Sequence, residues 1–257
     1  MRRAIADVHA YARFAWGLRA FLGRRISLEE AHATIAARIA DRDAAFLRLV
    51  ERGVFGHAQS PYLPLLRLAG CELGDIRTMV QRTGLEATLT ALRDAGVYVT
   101  FEEFKGRTPI LRHGRVIDVG PQGFDNPHLS HYYEARSGGS SGAGTRVLID
   151  LDHLAAQAPN LMLTHAAHGI VTAPTAIWFG VLPDHTGIGV ILRHLRFGGS
   201  LDRWFTTTPP DAPGYPLKNR LANRAFVSMG RLFSGGIPRP EFLPLDQAVV
   251  VARWASQ

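Results

Sequence analysis

The chain has 257 residues, 46% of them hydrophobic, which suffices for one substantial core with or without a small satellite. Twenty-nine basic against 22 acidic side chains give a formal charge of +7, carried almost wholly by arginine because Lys105 and Lys218 are the only lysines. That charge is spread along the chain and joins no nucleic-acid motif, so no nucleic-acid partner is expected, while a bound nucleotide phosphate suits it equally well.

Met1-Arg2-Arg3 is basic, but Asp7, His9 and Arg13 interrupt it and no apolar run follows, so no signal peptide is expected. The first hundred residues read mostly as helix. Ser27 and Glu30 have capping-box spacing ahead of an apolar run through Ile35, Ile39, Phe46 and Val50. Pro61 and Pro64 break the pattern. Short helices are predicted over 63–68, 75–82 and 86–95, the last closed by Gly96. Residues 97–100 read as a short strand and 101–104 as a helical turn. The lone Cys71 rules out an internal disulfide and suits a reducing cytoplasm.

Strands become frequent after that point: 116–119, then 131–136 and 146–150, with a turn-rich loop over 120–128. Asp152 is the expected cap of a helix that stops before Pro159. Residues 170–181 are rich in β-branched and aromatic side chains, divided by Pro174. The apolar stretch to Leu192 holds Pro183, Asp184 and His185, which fits a buried core better than a membrane span. Helices are predicted over 187–197 and 217–233, a loop over 206–215, another at 235–240, and a last amphipathic segment over 246–254. The sum is an α/β chain: a mainly helical region, 1–105, leading without a break into an α/β portion, 106–257, with a mixed sheet flanked by helices.

The strongest local signal is the small-residue loop between the strands at 131–136 and 146–150. Successive glycines allow positive φ and expose backbone N–H groups in a concavity that binds phosphate oxygens. Ser137, Ser140, Ser141 and Thr145 add hydroxyl donors, and Arg136 and Arg146 flank them with positive charge. The same composition also fits a plain surface linker. A Walker A loop needs Gly-Lys-Ser/Thr before a helix, and a dinucleotide fingerprint needs a glycine turn that opens one; neither is present. Gly138-Gly139-Ser140-Ser141-Gly142 matches the serine hydrolase elbow, but that elbow requires strand, turn, helix.

The run from Arg136 to Arg146 resembles the phosphate-binding signature of the adenylate-forming superfamily, which includes acyl-CoA synthetases, phenylacetate-CoA ligases and acyl-protein synthetases. A lysine usually follows that loop; Arg146 stands near its position, keeping the charge and changing the geometry. Leu182-Pro183-Asp184-His185-Thr186-Gly187 is similar to a proline, histidine, glycine segment that lies beside the acyl pocket, with 173–181 as the strand before it. Phe101-Glu102-Glu103-Phe104-Lys105-Gly106-Arg107 looks like the lead-in of phenylacetate-CoA ligase-like members. The likeness runs from about Leu65 onward.

The resemblance implies part of the large domain of such an enzyme, incomplete at the carboxy terminus, in the cytoplasm. ATP would sit with its β- and γ-phosphates on Ser137, Gly138, Gly139, Ser140, Ser141, Gly142, Gly144 and Thr145, accompanied by Mg2+. Arg146 would offset charge on the leaving pyrophosphate, and His185 would line the acyl site. The partners implied are a carboxylic acid, the thiol of coenzyme A or a carrier protein, and a separate polypeptide for missing segments. No match appears to the adenine, ribose or mobile-domain lysine motifs, so turnover by this chain alone is expected to be absent or very weak.

Other readings stay open. His185 also fits a structural histidine, Arg146 a solvated strand end, and Trp178 and Phe179 core positions. His165 and His168 are three apart, as are His128 and His131, but no cysteine or carboxylate completes a zinc set. A non-catalytic interaction module derived from the same fold is the main alternative, and a hydrolase built on Ser140 the lesser one.

Overall fold

The computed structural model describes residues 16–120, 122–129, 132–136, 146–182, 184–209, 213–234 and 236–256. Two compact units emerge, one formed by 1–35 with 130–257 and the other by 36–129.

The second unit is mainly helical. Its chain enters along α2, Leu28–Ala40, whose start lies in the first unit, where Ser27 and Glu30 cap one another's backbone at 2.8 and 3.1 Å, as the capping-box spacing predicts. The path continues through α3 (Arg42–Leu49), a π-helical turn (Val50–Phe55), α4 (Tyr62–Leu68), α5 (Leu73–Thr83), α6 (Leu85–Asp94) and α7 (Phe101–Phe104). Glu72 and Asp75 form a second capping box, which starts α5 two residues before the predicted boundary. Gly96, at φ +90°, turns the chain after α6. Val50, Leu66, Ile76, Val80 and Leu92 form the core.

Residues 97–100 lead into α7 without forming the predicted strand. Strand β1, Ile110–Arg112, pairs antiparallel with β2, Arg115–Ile117. The two-residue turn between them has positive φ at both His113 and Gly114, the geometry that follows strand twist.

The first unit contains the α/β part. Strands β3, Tyr132–Arg136, and β4, Arg146–Asp150, pair antiparallel. Helix α8 spans Leu151–Ala167 with Pro159 inside it, capped by Asp150 rather than Asp152. A proline in a helix interior costs about 3 kcal/mol and usually ends it. Here Leu151, Leu154, Ala158, Pro159 and Met162 are all buried on one side, and that packing outweighs the lost hydrogen bond.

Three strands then form a parallel sheet in the order β5-β6-β7: Ala176–Trp178, Arg203–Thr206 and Pro240–Phe242. Helix α9, Thr186–Arg196, connects the first two, and α10, Leu217–Ser234, connects the last two. The strand predicted over 173–181 is therefore only three residues long. Thr206 belongs to β6, not to the loop predicted from it onward, and Pro240 opens β7. A proline is tolerated there because β7 is an edge strand and Pro240 is its first residue. The parallel and antiparallel strands lie in separate sheets rather than in one mixed sheet.

A helix over 16–22, α1, adds Leu18, Phe21 and Leu22 to a core with Ile177, Ile188, Ile191, Leu192, Trp204, Phe226 and Ile237. The chain closes with a 3-10 turn, Leu245–Gln247, and α11, Val249–Ala255. No described helix is long and apolar enough to cross a membrane.

Candidate functional site

The β3–β4 register runs from Tyr132 opposite Asp150 to Arg136 opposite Arg146. Antiparallel partners lie about 5 Å apart at Cα, so the segment between Arg136 and Arg146 starts and ends at one place, with an arginine at each end. The predicted phosphate-loop residues Ser137, Gly138, Gly139, Ser140, Ser141, Gly142, Gly144 and Thr145 lie outside the described residues. The described residues on either side of the elbow motif around Ser140 are strands, β3 and β4, whereas that motif requires a helix after its nucleophile.

At the other end of β4, Asp150 is 3% exposed. Its Oδ1 accepts the backbone N–H of His153 at 3.0 Å and so starts α8. Its Oδ2 is enclosed and has no hydrogen-bond partner among the described residues.

The second place where chemistry gathers is the carboxyl edge of the parallel sheet, where open α/β sheets bind ligands. His185 stands there as the residue before α9. Burial pushes its pKa below the usual histidine value, and the neighbouring Asp184 carboxylate partly opposes that. Asp184 Oδ1 accepts the Thr186 N–H at 2.9 Å, and the Asp184 N–H donates to the Val181 carbonyl at 3.0 Å. This turn depends on glycine. A Cβ on Gly180 would lie 2.4 Å from Asp184 Oδ2, and one on Gly187 would lie 2.9 Å from the Gly180 carbonyl and 3.0 Å from Phe179 Cβ. The amino end of α9 thus rests directly on the end of β5.

Asn223 and Tyr215 bind this edge together. Asn223, buried on α10, accepts the Leu182 N–H at 3.3 Å and donates to the Tyr215 hydroxyl at 2.8 Å. The hydroxyl in turn donates to the Leu182 carbonyl. One network therefore joins the connection after β5, the connection after β6 and the helix behind them. Neither residue stands out in the sequence. Two strand–helix–strand units in succession would have pointed to them, but β6 and β7 are too short to register as strands.

Arg146 and His185 belong to the same unit, Arg146 at the start of β4 and His185 before α9, which follows β5 of the other sheet. Phe179 packs against the main core, while Trp178 is half-buried and its Nε1 has no hydrogen-bond partner among the described residues. His165 lies in α8, and its ring centroid is 5.9 Å from that of His194. Among the described residues no three His, Cys, Asp or Glu side chains converge as a metal set. The second unit holds a cavity of about 510 Å3 lined by Gln59, Ser60, Pro61, Pro64, Asp118 and Gln122 among others, none of them a predicted site residue.

No family model matches the chain, and neither a curated protein nor a solved structure matches it.

Proposed function

We propose that this chain is the phosphate-loop and acyl-pocket portion of an ATP-dependent carboxylic acid ligase of the adenylate-forming type. The carrying observation is the β3–β4 pairing, which holds the ends of the Gly/Ser-rich segment together with Arg136 and Arg146 opposite one another. Further support comes from the order of β5, the Leu182 to Gly187 segment and α9, a strand followed directly by the proline, histidine, glycine-like run. On this reading the first unit corresponds to part of the large domain of such enzymes, and the protein works in the cytoplasm, where ATP is supplied.

In adenylation a carboxylate oxygen bonds to the α-phosphorus of ATP and pyrophosphate leaves; a thiol of coenzyme A or a carrier protein then takes the acyl group and AMP leaves. Such chemistry is mostly positioning and charge neutralisation. The donors around the loop are hydroxyls, backbone N–H groups and guanidinium, a set that fits phosphate. It does not fit a protein-held metal, so Mg2+ would arrive coordinated to the nucleotide. Arg146 would neutralise charge on the pyrophosphate. His185, whose pKa burial lowers against the pull of Asp184, would line the acyl site.

Titration calorimetry with magnesium-ATP tests this reading. Wild-type binding that is lost in a Ser141→Ala, Arg146→Ala double variant with unchanged helicity is expected. Binding that survives in that variant would remove the nucleotide from the loop.

A second reading, an interaction module or split-enzyme subunit on the same fold, draws on α11. That helix has no buried residue, and Leu245 and Val249 before and within it are 72% and 52% exposed. It predicts no turnover by the chain alone, with activity restored by a second polypeptide.

A further inference from the structure

We propose that the outer face of α10 docks on an anionic lipid bilayer. The inner face of this 18-residue helix is committed to the core through Asn223, Phe226, Val227 and Gly230. At about 100° per residue, Leu217, Leu221, Ser228 and Leu232 fall within an arc of about 60° on the opposite side. The three leucines are 66%, 56% and 75% exposed, spread over about 22 Å of helix axis. Single exposed leucines are ordinary, but a stripe of them marks an interaction face.

Charge selects the partner. The helix carries Lys218, Arg220, Arg224 and Arg231 and no acidic residue. Arg224 and Arg231 fall on one flank of the leucine stripe and Lys218 on the other, so apolar side chains are bordered by long cationic ones. That is the pattern of a helix lying in a lipid headgroup layer: the leucines enter the acyl boundary while the ammonium and guanidinium groups stay at the phosphates. A second copy of the chain fits poorly, because it would bring the same cations against these. Beside the carboxyl end of α10, Arg19 of α1 lies 5.9 Å over the Phe233 ring. The contact is peripheral: a single half-embedded helix binds weakly and reversibly, and salt releases it. Nothing in it depends on the ligase reading.

The test is sedimentation of the full chain with phosphatidylcholine vesicles, with and without phosphatidylserine. Binding to the anionic vesicles only, weakened by salt, is expected. A Leu217→Gln, Leu221→Gln, Leu232→Gln variant and a Lys218→Glu, Arg231→Glu variant should each lower the partition at least about tenfold without change in helicity or melting temperature. Absence of wild-type binding to anionic vesicles overturns the proposal, as does binding that both variants retain. A dimer in solution that the leucine variant dissolves also overturns it, because the stripe would then be occupied by a second copy.

Discussion

Arg112 and Glu103 form a closed ion pair in the second unit: the two Nη groups donate to the two carboxylate oxygens at 2.7 and 3.0 Å, and both side chains are buried. The guanidinium also lies 3.9 Å from the Tyr98 ring centroid and donates to the carbonyls of Gly96, Tyr98 and Leu111. One side chain thus ties β1 to α7 and to the stretch after α6. Removing one partner of such a pair strands the other charge in the interior, at about 3–5 kcal/mol. Glu103→Ala and Arg112→Ala should each lower stability by that order in chemical denaturation. Arg112→Lys should recover only part of it, because a point charge cannot satisfy both oxygens and three carbonyls.

The same pair sets an acid limit. Hydrogen bonds from Arg112, helped by the backbone and hydroxyl of Thr100 and opposed by burial, hold the Glu103 pKa down to about 2, against an ordinary 4.5. A carboxyl whose folded pKa is depressed binds its proton more readily when unfolded. Its contribution is therefore complete above 4.5 and is lost as pH falls toward about 2. Denaturation curves across that window should show this loss in the wild type and a shallower one in Glu103→Gln.

Two histidines act nearer neutrality. Burial pushes His185 below the usual value, against Asp184. Burial and then His165 push His194 down, against the Ser200 carbonyl and Asp202. His194 Nε2 sits 2.6 Å from that carbonyl, so it carries the hydrogen. With folded pKa values below 6.5, both rings take up protons on unfolding. Stability should be complete above 6.5 and decline as pH falls below it. Substitution of His185 by Gln should reduce that slope, and a slope unchanged in the variant would assign the effect elsewhere.

Much of this architecture was legible in the sequence, and the losses have physical causes. Ser27 with Glu30, the leucines of α4 and Gly96 are local signals, and local signals place helices well. Pro159 misled because a helix stop inferred from one residue ignores the four buried neighbours that hold α8 together. Strands β6 and β7 escaped because the partners that define them are far away in sequence: Trp204 pairs with Ile177 and Pro240. The arginines at 136 and 146 were legible as a pair bracketing a loop. The link from Asn223 through Tyr215 to Leu182 was not, since no periodicity announces a hydrogen-bond network.

Two glycines of α9 should respond oppositely to alanine. Gly187 packs against the end of β5, where a Cβ would press on the Gly180 carbonyl and Phe179. Gly187→Ala should lower stability by about 1–3 kcal/mol, the usual range for overpacking, and displace His185. A Cβ on Gly189 would meet nothing within 4 Å. Gly189→Ala should therefore gain up to about 1 kcal/mol from helix propensity. Thermal melts of the two variants decide the matter; equal effects would mean that the close approach of helix to strand is absent in solution.

The Asn223–Tyr215–Leu182 network should behave as a unit. Tyr215→Phe leaves the Leu182 carbonyl and the Asn223 amide each short of a partner, and Asn223→Ala leaves the buried Leu182 N–H without its acceptor. An unsatisfied buried group costs about 1–3 kcal/mol, so each single variant should lose stability in that range, Asn223→Ala more because it also opens a cavity. The double variant should lose less than the sum, with a coupling of at least about 0.5 kcal/mol. Because the network fixes the connections at the carboxyl edge of the sheet, the same variants should weaken any ligand seated there, beyond what reduced folding explains. Strict additivity in the cycle would mean that Tyr215 and Asn223 act independently and that the edge is held by packing alone.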